Sequence, residues 1–104
     1  MRIKRYEILL PLVYNYGKEI EKEKFFRTDQ ELVEKFGATT TDTTIAIGSW
    51  VYKGVLYKDR LIRIRVDVED TEDARKFLED FKEVLKERFK QIDIWITGYD
   101  IEVI

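Results

Sequence analysis

Arg63, Arg65 and Asp67 recur at every second position of Leu-Ile-Arg-Ile-Arg-Val-Asp-Val, residues 61–68, and Asp93, Trp95 and Thr97 do the same in Ile-Asp-Ile-Trp-Ile-Thr, residues 92–97. This spacing gathers charged, indole and hydroxyl groups on one face of a strand and leaves the other to isoleucine and valine. Trp50, in Gly-Ser-Trp, and the pair Tyr14-Asn15 complete the set of candidate ligand or interface residues. Guanidinium, indole and amide groups suit recognition of a small molecule or a protein surface. Turnover has less to work with. The chain has no His and no Cys, so it lacks the commonest general base, the thiolate nucleophile and the usual transition-metal ligands. No catalytic residue, metal ligand or cofactor is expected, and the balance falls against an enzyme.

Other candidate motifs reduce to ordinary structure. Asp67, Glu69, Asp70, Glu72 and Asp73 could present oxygens to a divalent cation, but they lack the spacing of a calcium loop. A strand end followed by an acidic helix start accounts for every member. Gly48-Ser49-Trp50 is not a nucleophile elbow, because the second glycine and an activating His are missing. Gly37-Ala38-Thr39-Thr40-Thr41 has no Lys and no following helix, so it is not a phosphate loop. The six Tyr, at 6, 14, 16, 52, 57 and 99, offer hydroxyls for a pocket, although packing with a satisfied hydroxyl is the usual fate of Tyr.

Six elements must position these groups. The first strand runs from Ile3 to about Tyr14, and its later half sits at an edge or bulge because Pro11 cannot donate to a ladder. Asn15-Tyr16-Gly17-Lys18 is a turn. A helix lies within Glu21 to Phe36, with Phe25, Phe26, Leu32, Val33 and Phe36 on one stripe and Gly37 ending it. A capping box at Thr28 and Glu31 would shorten this helix, but the two Phe favour the longer span. The Thr-rich segment 38–44 reads as a ragged strand edge that leads into 45–52. Lys53-Gly54 then turns a hairpin into residues 55–68, with a bulge expected at Lys58-Asp59-Arg60. Asp70 or Thr71 caps a second helix carrying Ala74, Phe77, Leu78, Phe81, Val84, Leu85 and Phe89 at helical spacing. The last strand is Ile92 to Thr97, broken or bulged at Gly98.

The order β-α-β-β-α-β predicts an α+β, ferredoxin-like sandwich: a four-stranded antiparallel sheet of order 4-1-3-2 with both helices on one face. Residues 1–104 form one such domain. The open face would carry Arg5, Glu7 and Leu9 from the first strand, Leu61, Arg63, Arg65 and Asp67 from the third, and Trp50, Trp95 and Thr97 from the edges. An RNA-recognition sheet needs aromatics on its two central strands. Arg and Leu stand there instead, so nucleic acid is not the expected partner. Uncovered Leu and Trp on a two-layer domain point to a homodimer through the sheet.

Charged residues make up 38% of the chain and hydrophobic residues 44%, which is a globular balance. The net charge of −2 gives no global pull toward nucleic acid or an anionic membrane. With no secretory leader and no apolar run of bilayer-spanning length, the expected setting is cytoplasmic. Many Glu and Lys with a single Asn and two Gln give a thermophile-like composition.

On Tyr-Glu-Ile-Leu-Leu-Pro-Leu (6–12), Gly-Ser-Trp (48–50), the junction from Val66 to Asp73 and Gln-Ile-Asp-Ile-Trp-Ile-Thr (91–97), the chain resembles a group of short uncharacterised prokaryotic ferredoxin-like proteins. That resemblance implies a fold and no activity. More loosely, the element order is similar to dimeric α/β-barrel proteins, in which two such subunits pack sheet to sheet and some act as small oxygenases or ligand sensors. Many of those sites need His or haem ligation, which a chain without His does not offer. The order is also that of small CRISPR-associated nucleases, but the Asp they place after the first strand is absent from Pro11-Leu12-Val13-Tyr14-Asn15. The expectation is therefore a self-associating binding or structural module. The alternative is a small-molecule site or minor enzyme with a Tyr- and Arg-lined pocket.

Overall fold

The computed structural model describes residues 1–42 and 44–104. Its elements are β1 (Ile3–Pro11), α1 (Lys22–Phe36), β2 (Thr40–Thr41), β3 (Ala46–Tyr52), β4 (Val55–Glu69), α2 (Glu72–Arg88) and β5 (Ile96–Ile101). All strand pairings are antiparallel. β1 lies between β4 and β5, while β2 and β3 pair with successive stretches of the outer edge of β4. The sheet therefore has five segments in four rows, the ferredoxin-like βαββαβ arrangement in the order the sequence predicts. The ragged edge strand narrows to β2. Thr43, part of that expected strand, lies outside the described residues.

Alternation sets the layers. Tyr6, Ile8 and Leu10 of β1 and Ile64, Val66 and Val68 of β4 are buried under the helices, against Leu32 of α1 and Ala74, Leu78, Phe81 and Leu85 of α2. The helix termini follow local chemistry. The Thr71 hydroxyl accepts the Ala74 N–H at 3.1 Å and caps α2. Gly37, at φ 90°, ends α1 in the left-handed conformation open to glycine.

Four boundaries differ from expectation. β1 stops at Pro11, and beyond it only Val13 bridges back to Glu19. The stripe of α1 is narrower than expected: Phe26 and Val33 are exposed, and Thr28 takes the buried position beside Leu32. Its hydroxyl donates to the Lys24 carbonyl at 2.7 Å and accepts from Arg88 Nη1 at 2.8 Å, so a polar side chain is satisfied inside the core. Lys58-Asp59-Arg60 is not a bulge, since all three residues keep regular register with β3. The last strand starts later than expected and runs through Gly98. Residues 92–95 are its approach, and the Ile94 N–H is taken by the Asp93 carboxylate at 2.9 Å rather than by a ladder.

The β3–β4 hairpin turns at Lys53 and Gly54, both at positive φ. β1 ends opposite Leu61, so the hairpin continues past the sheet as an arm with no helix beneath it. The molecule measures 43 × 28 × 26 Å along its principal axes. No helix among the described residues is long and apolar enough to cross a membrane.

Candidate functional site: the open sheet face

Two zones divide the open face. In the first, register places Arg5 opposite Asp67 on one side and Tyr99 on the other, with Glu7 between Arg65 and Thr97. Arg5 binds Asp67 through two parallel hydrogen bonds of 2.7 and 2.9 Å. This bidentate pair holds the Asp67 carboxyl below its ordinary range and raises the Arg5 guanidinium further. Asp42, just past β2, receives both Arg63 (3.1 Å) and Arg65. Glu7 lies 3.5 Å from Arg63 Nε and accepts the Tyr99 hydroxyl at 2.9 Å. Three guanidinium groups thus face three carboxylates, each charge already met by another. That arrangement fixes strand register and offers little free capacity to a ligand.

The second zone lies where the hairpin leaves the sheet. Leu9, Pro11 and Leu61 make an apolar floor, and Trp50 and Trp95 make the walls of a cavity of about 400 Å³. Gly48 pairs with Asp59 across the hairpin, and a Cβ there would come within 2.9 Å of a Leu61 methyl. The missing side chain leaves the space open. Trp50 is held in place twice: its ring stacks on Tyr57 at 4.6 Å between centroids, and its indole N–H donates to Asp59 Oδ2 at 2.6 Å. Ser49, Gln91 and Asp93 add polar groups to the lining.

Of the sequence candidates, Trp50 and Trp95 come together at this cavity. Arg63 and Arg65 belong to the neighbouring charged zone, and Thr97 sits exposed on β5 opposite Glu7. Tyr14 and Asn15 stand apart, in the loop after β1, where Tyr14 packs against Glu21 and Lys24 at the start of α1. The lining is Trp- and Asp-based rather than Tyr- and Arg-based. Sequence reasoning gave no site role to Asp59, Asp42 or Gly48. Their one available signal was position: Asp59 and Gly48 become cross-strand partners once the hairpin turn is placed at 53–54.

No protein-family model matches the chain, and no curated protein sequence does. Solved structures do match. The fold is similar to a phage SAM lyase in complex with S-methyl-5′-thioadenosine, at TM-score 0.71 and 14% identity over 97% of this chain and 90% of that one. It is also similar to the divalent cation tolerance protein CutA1 of Thermus thermophilus, at TM-score 0.64 and 16% identity over 97% and 85% of the two chains. The GlnK–ATP complex of B. subtilis matches at TM-score 0.54 and 19% identity, over 96% and 82%. The likeness is one of fold. It upholds the ferredoxin-like part of the sequence resemblance and gives no support to the short prokaryotic group.

Proposed function

We propose that this chain is a self-associating binding module whose copies meet through the open sheet face and the projecting hairpin. The observation that carries this is apolar exposure on both faces of the arm. Ile47, Val51 and Leu56 are 68%, 67% and 58% exposed on the face of the arm continuous with the helix-covered side of the sheet, and Val55 is 52% exposed on the face continuous with the open side. Burial of such side chains is worth about 25 cal/mol per Å². An arm with no layer on either side can gain this only against another chain. A homodimer is the smallest assembly that covers it, with residues 1–104 acting as one domain in each copy. Sedimentation equilibrium tests the proposal. The wild type is expected to exceed monomer mass, and Val51→Asp combined with Leu56→Asp to return it to monomer with unchanged helix content. A wild-type monomer at its highest soluble concentration would sink the idea. The cytoplasm is the proposed setting, which fractionation of native cells would check.

A second reading, a small-molecule site, is favoured by the cavity between Trp50 and Trp95. Two of the fold neighbours are named as complexes with adenosine-containing molecules, S-methyl-5′-thioadenosine and ATP. A flat ring of that size stacks well on an indole. The paired state of the neighbouring charges favours binding over turnover. Saturable quenching of Trp emission by a small ligand is the outcome this reading requires.

A further inference from the structure

The charge of the cavity is one-sided. Its lining contains two carboxylates, Asp59 and Asp93, and no Lys or Arg. The two are not equivalent. Asp93 is neutralised by Lys82, 3.1 Å away, and its Oδ1 also accepts the Ile94 N–H. Asp59 has no cationic partner among the described residues; the Trp50 N–H occupies its Oδ2, which leaves Oδ1 unused. A half-buried carboxylate without a counter-charge raises the local preference for a positive guest. Both indoles of the chain stand beside it, and indole faces attract cations through the ring quadrupole.

The remaining lining selects among cations. A hard divalent ion needs about six oxygen ligands, whereas Asp59 and Asp93 each keep one carboxylate oxygen free in a lining that also holds Leu9, Leu61 and the two indoles, and among the described residues no group of three or more carboxylates could hold a metal ion. A cation whose charge is spread under alkyl groups loses little hydration on entering such a site and makes apolar contact with its walls. An anionic guest would meet uncompensated repulsion from Asp59. We infer that the cavity takes a small organic cation of the alkylammonium type, held between the indoles with Asp59 as counter-ion. This inference rests on the reading of the cavity as a ligand site.

The chain's only tryptophans, Trp50 and Trp95, both line the cavity, so intrinsic fluorescence reports on it directly. Titration of the native assembly with choline at constant ionic strength should give a saturable change in emission. The uncharged isostere 3,3-dimethyl-1-butanol should bind roughly tenfold more weakly, within the range of a desolvated cation–π contact. Asp59→Asn keeps an acceptor for the Trp50 N–H and should erase most of the difference between the two probes, while Trp95→Ala should weaken both. Adenosine, flat and uncharged, is the third probe. If choline and the alcohol bind equally well to the wild type, or adenosine saturates while choline does not, the cation assignment falls and the ligand site stands. If none of the three changes the emission, both fall.

Discussion

The Tyr14 hydroxyl sits between a carboxylate and an ammonium. It donates to Glu21 and accepts from Lys24 Nζ at 2.5 Å, and the same ammonium reaches the Arg88 carbonyl at 2.9 Å. The ring stacks on Tyr16 with centroids 5.2 Å apart, and the Lys90 ammonium lies 5.3 Å above it. The residue is only 3% exposed. Its polar end therefore joins the loop after β1 to the start of α1 and the end of α2. The hydrogen bond from Tyr14 is the main cause that draws the Glu21 carboxyl from 4.5 down to about 2, with Lys24 assisting. Between those two values the unfolded chain binds the proton and the folded chain does not. This contribution to stability is complete above pH 4.5 and is lost as the pH falls toward about 2. Glu21→Gln should flatten the fall of melting temperature with acid in that window, and Tyr14→Phe should do the same. An acid limb unchanged in both variants would remove Glu21 from the account. That Tyr14 is a buried polar residue could be anticipated from its place at the end of an apolar strand. Its partners Glu21, Lys24 and Lys90 could not, because they lie 7, 10 and 76 residues further along.

At the scale of elements, what local pattern determines was legible and what tertiary contact determines was not. The cap at Thr71, the end of α1 at Gly37 and the turn at Lys53-Gly54 each depend on local stereochemistry; the last two stand where the sequence puts them, and the cap is one of the two residues the sequence offers, Asp70 or Thr71. The start of β5 depends on what lies across from it. Ile92 to Thr97 alternates as a strand should, yet pairing begins at Ile96, because Ile94 turns into the core and the Asp93 side chain takes its N–H. Gly98, which sequence alone makes a break, is a packing position. It pairs with Tyr6, and a Cβ there would lie 2.8 Å from the Tyr6 ring. Because Tyr6 is itself buried against the core, the ring has little room to retreat. Gly98→Ala should therefore cost about 1–3 kcal/mol by overpacking, read as a lower denaturation midpoint. Tyr6→Leu in the same chain should recover part of that loss. A Gly98→Ala variant as stable as the wild type would mean that the ring moves freely. The candidate site shows the same division. Alternation alone identifies Trp50 and Trp95 as open-face residues. Their joint cavity requires the hairpin register that sets side-chain-free Gly48 opposite Asp59.

For the whole molecule, the two faces of the sheet are in different states. One is sealed by α1 and α2 over a continuous core. The other carries paired charges at one end and the Trp-lined cavity at the other, beside an arm exposed on both sides. A folded copy that associates through the arm and the open face is stabilised by mass action, since unfolded chains do not present the surface. The melting temperature of the wild type should then rise with protein concentration. The arm variant, Val51→Asp with Leu56→Asp, should melt at one temperature regardless of concentration. Its substitutions lie on the exposed hairpin, but Val51 and Leu56 are direct cross-strand partners, so two like charges there should cost a single copy roughly 0.2–1 kcal/mol, and it is the concentration dependence, not the absolute melting temperature, that separates the cases. Calorimetry at two concentrations roughly a hundredfold apart separates the cases. The quantity to compare is the shift between the two wild-type scans, because the absolute melting temperature also contains the charge pairs of the open face. Added salt weakens those exposed pairs and lowers both proteins alike, whereas the concentration-dependent shift, being apolar in origin, should persist in salt. A wild-type melting temperature that ignores concentration, or a shift that salt abolishes, would place the driving force elsewhere than the arm.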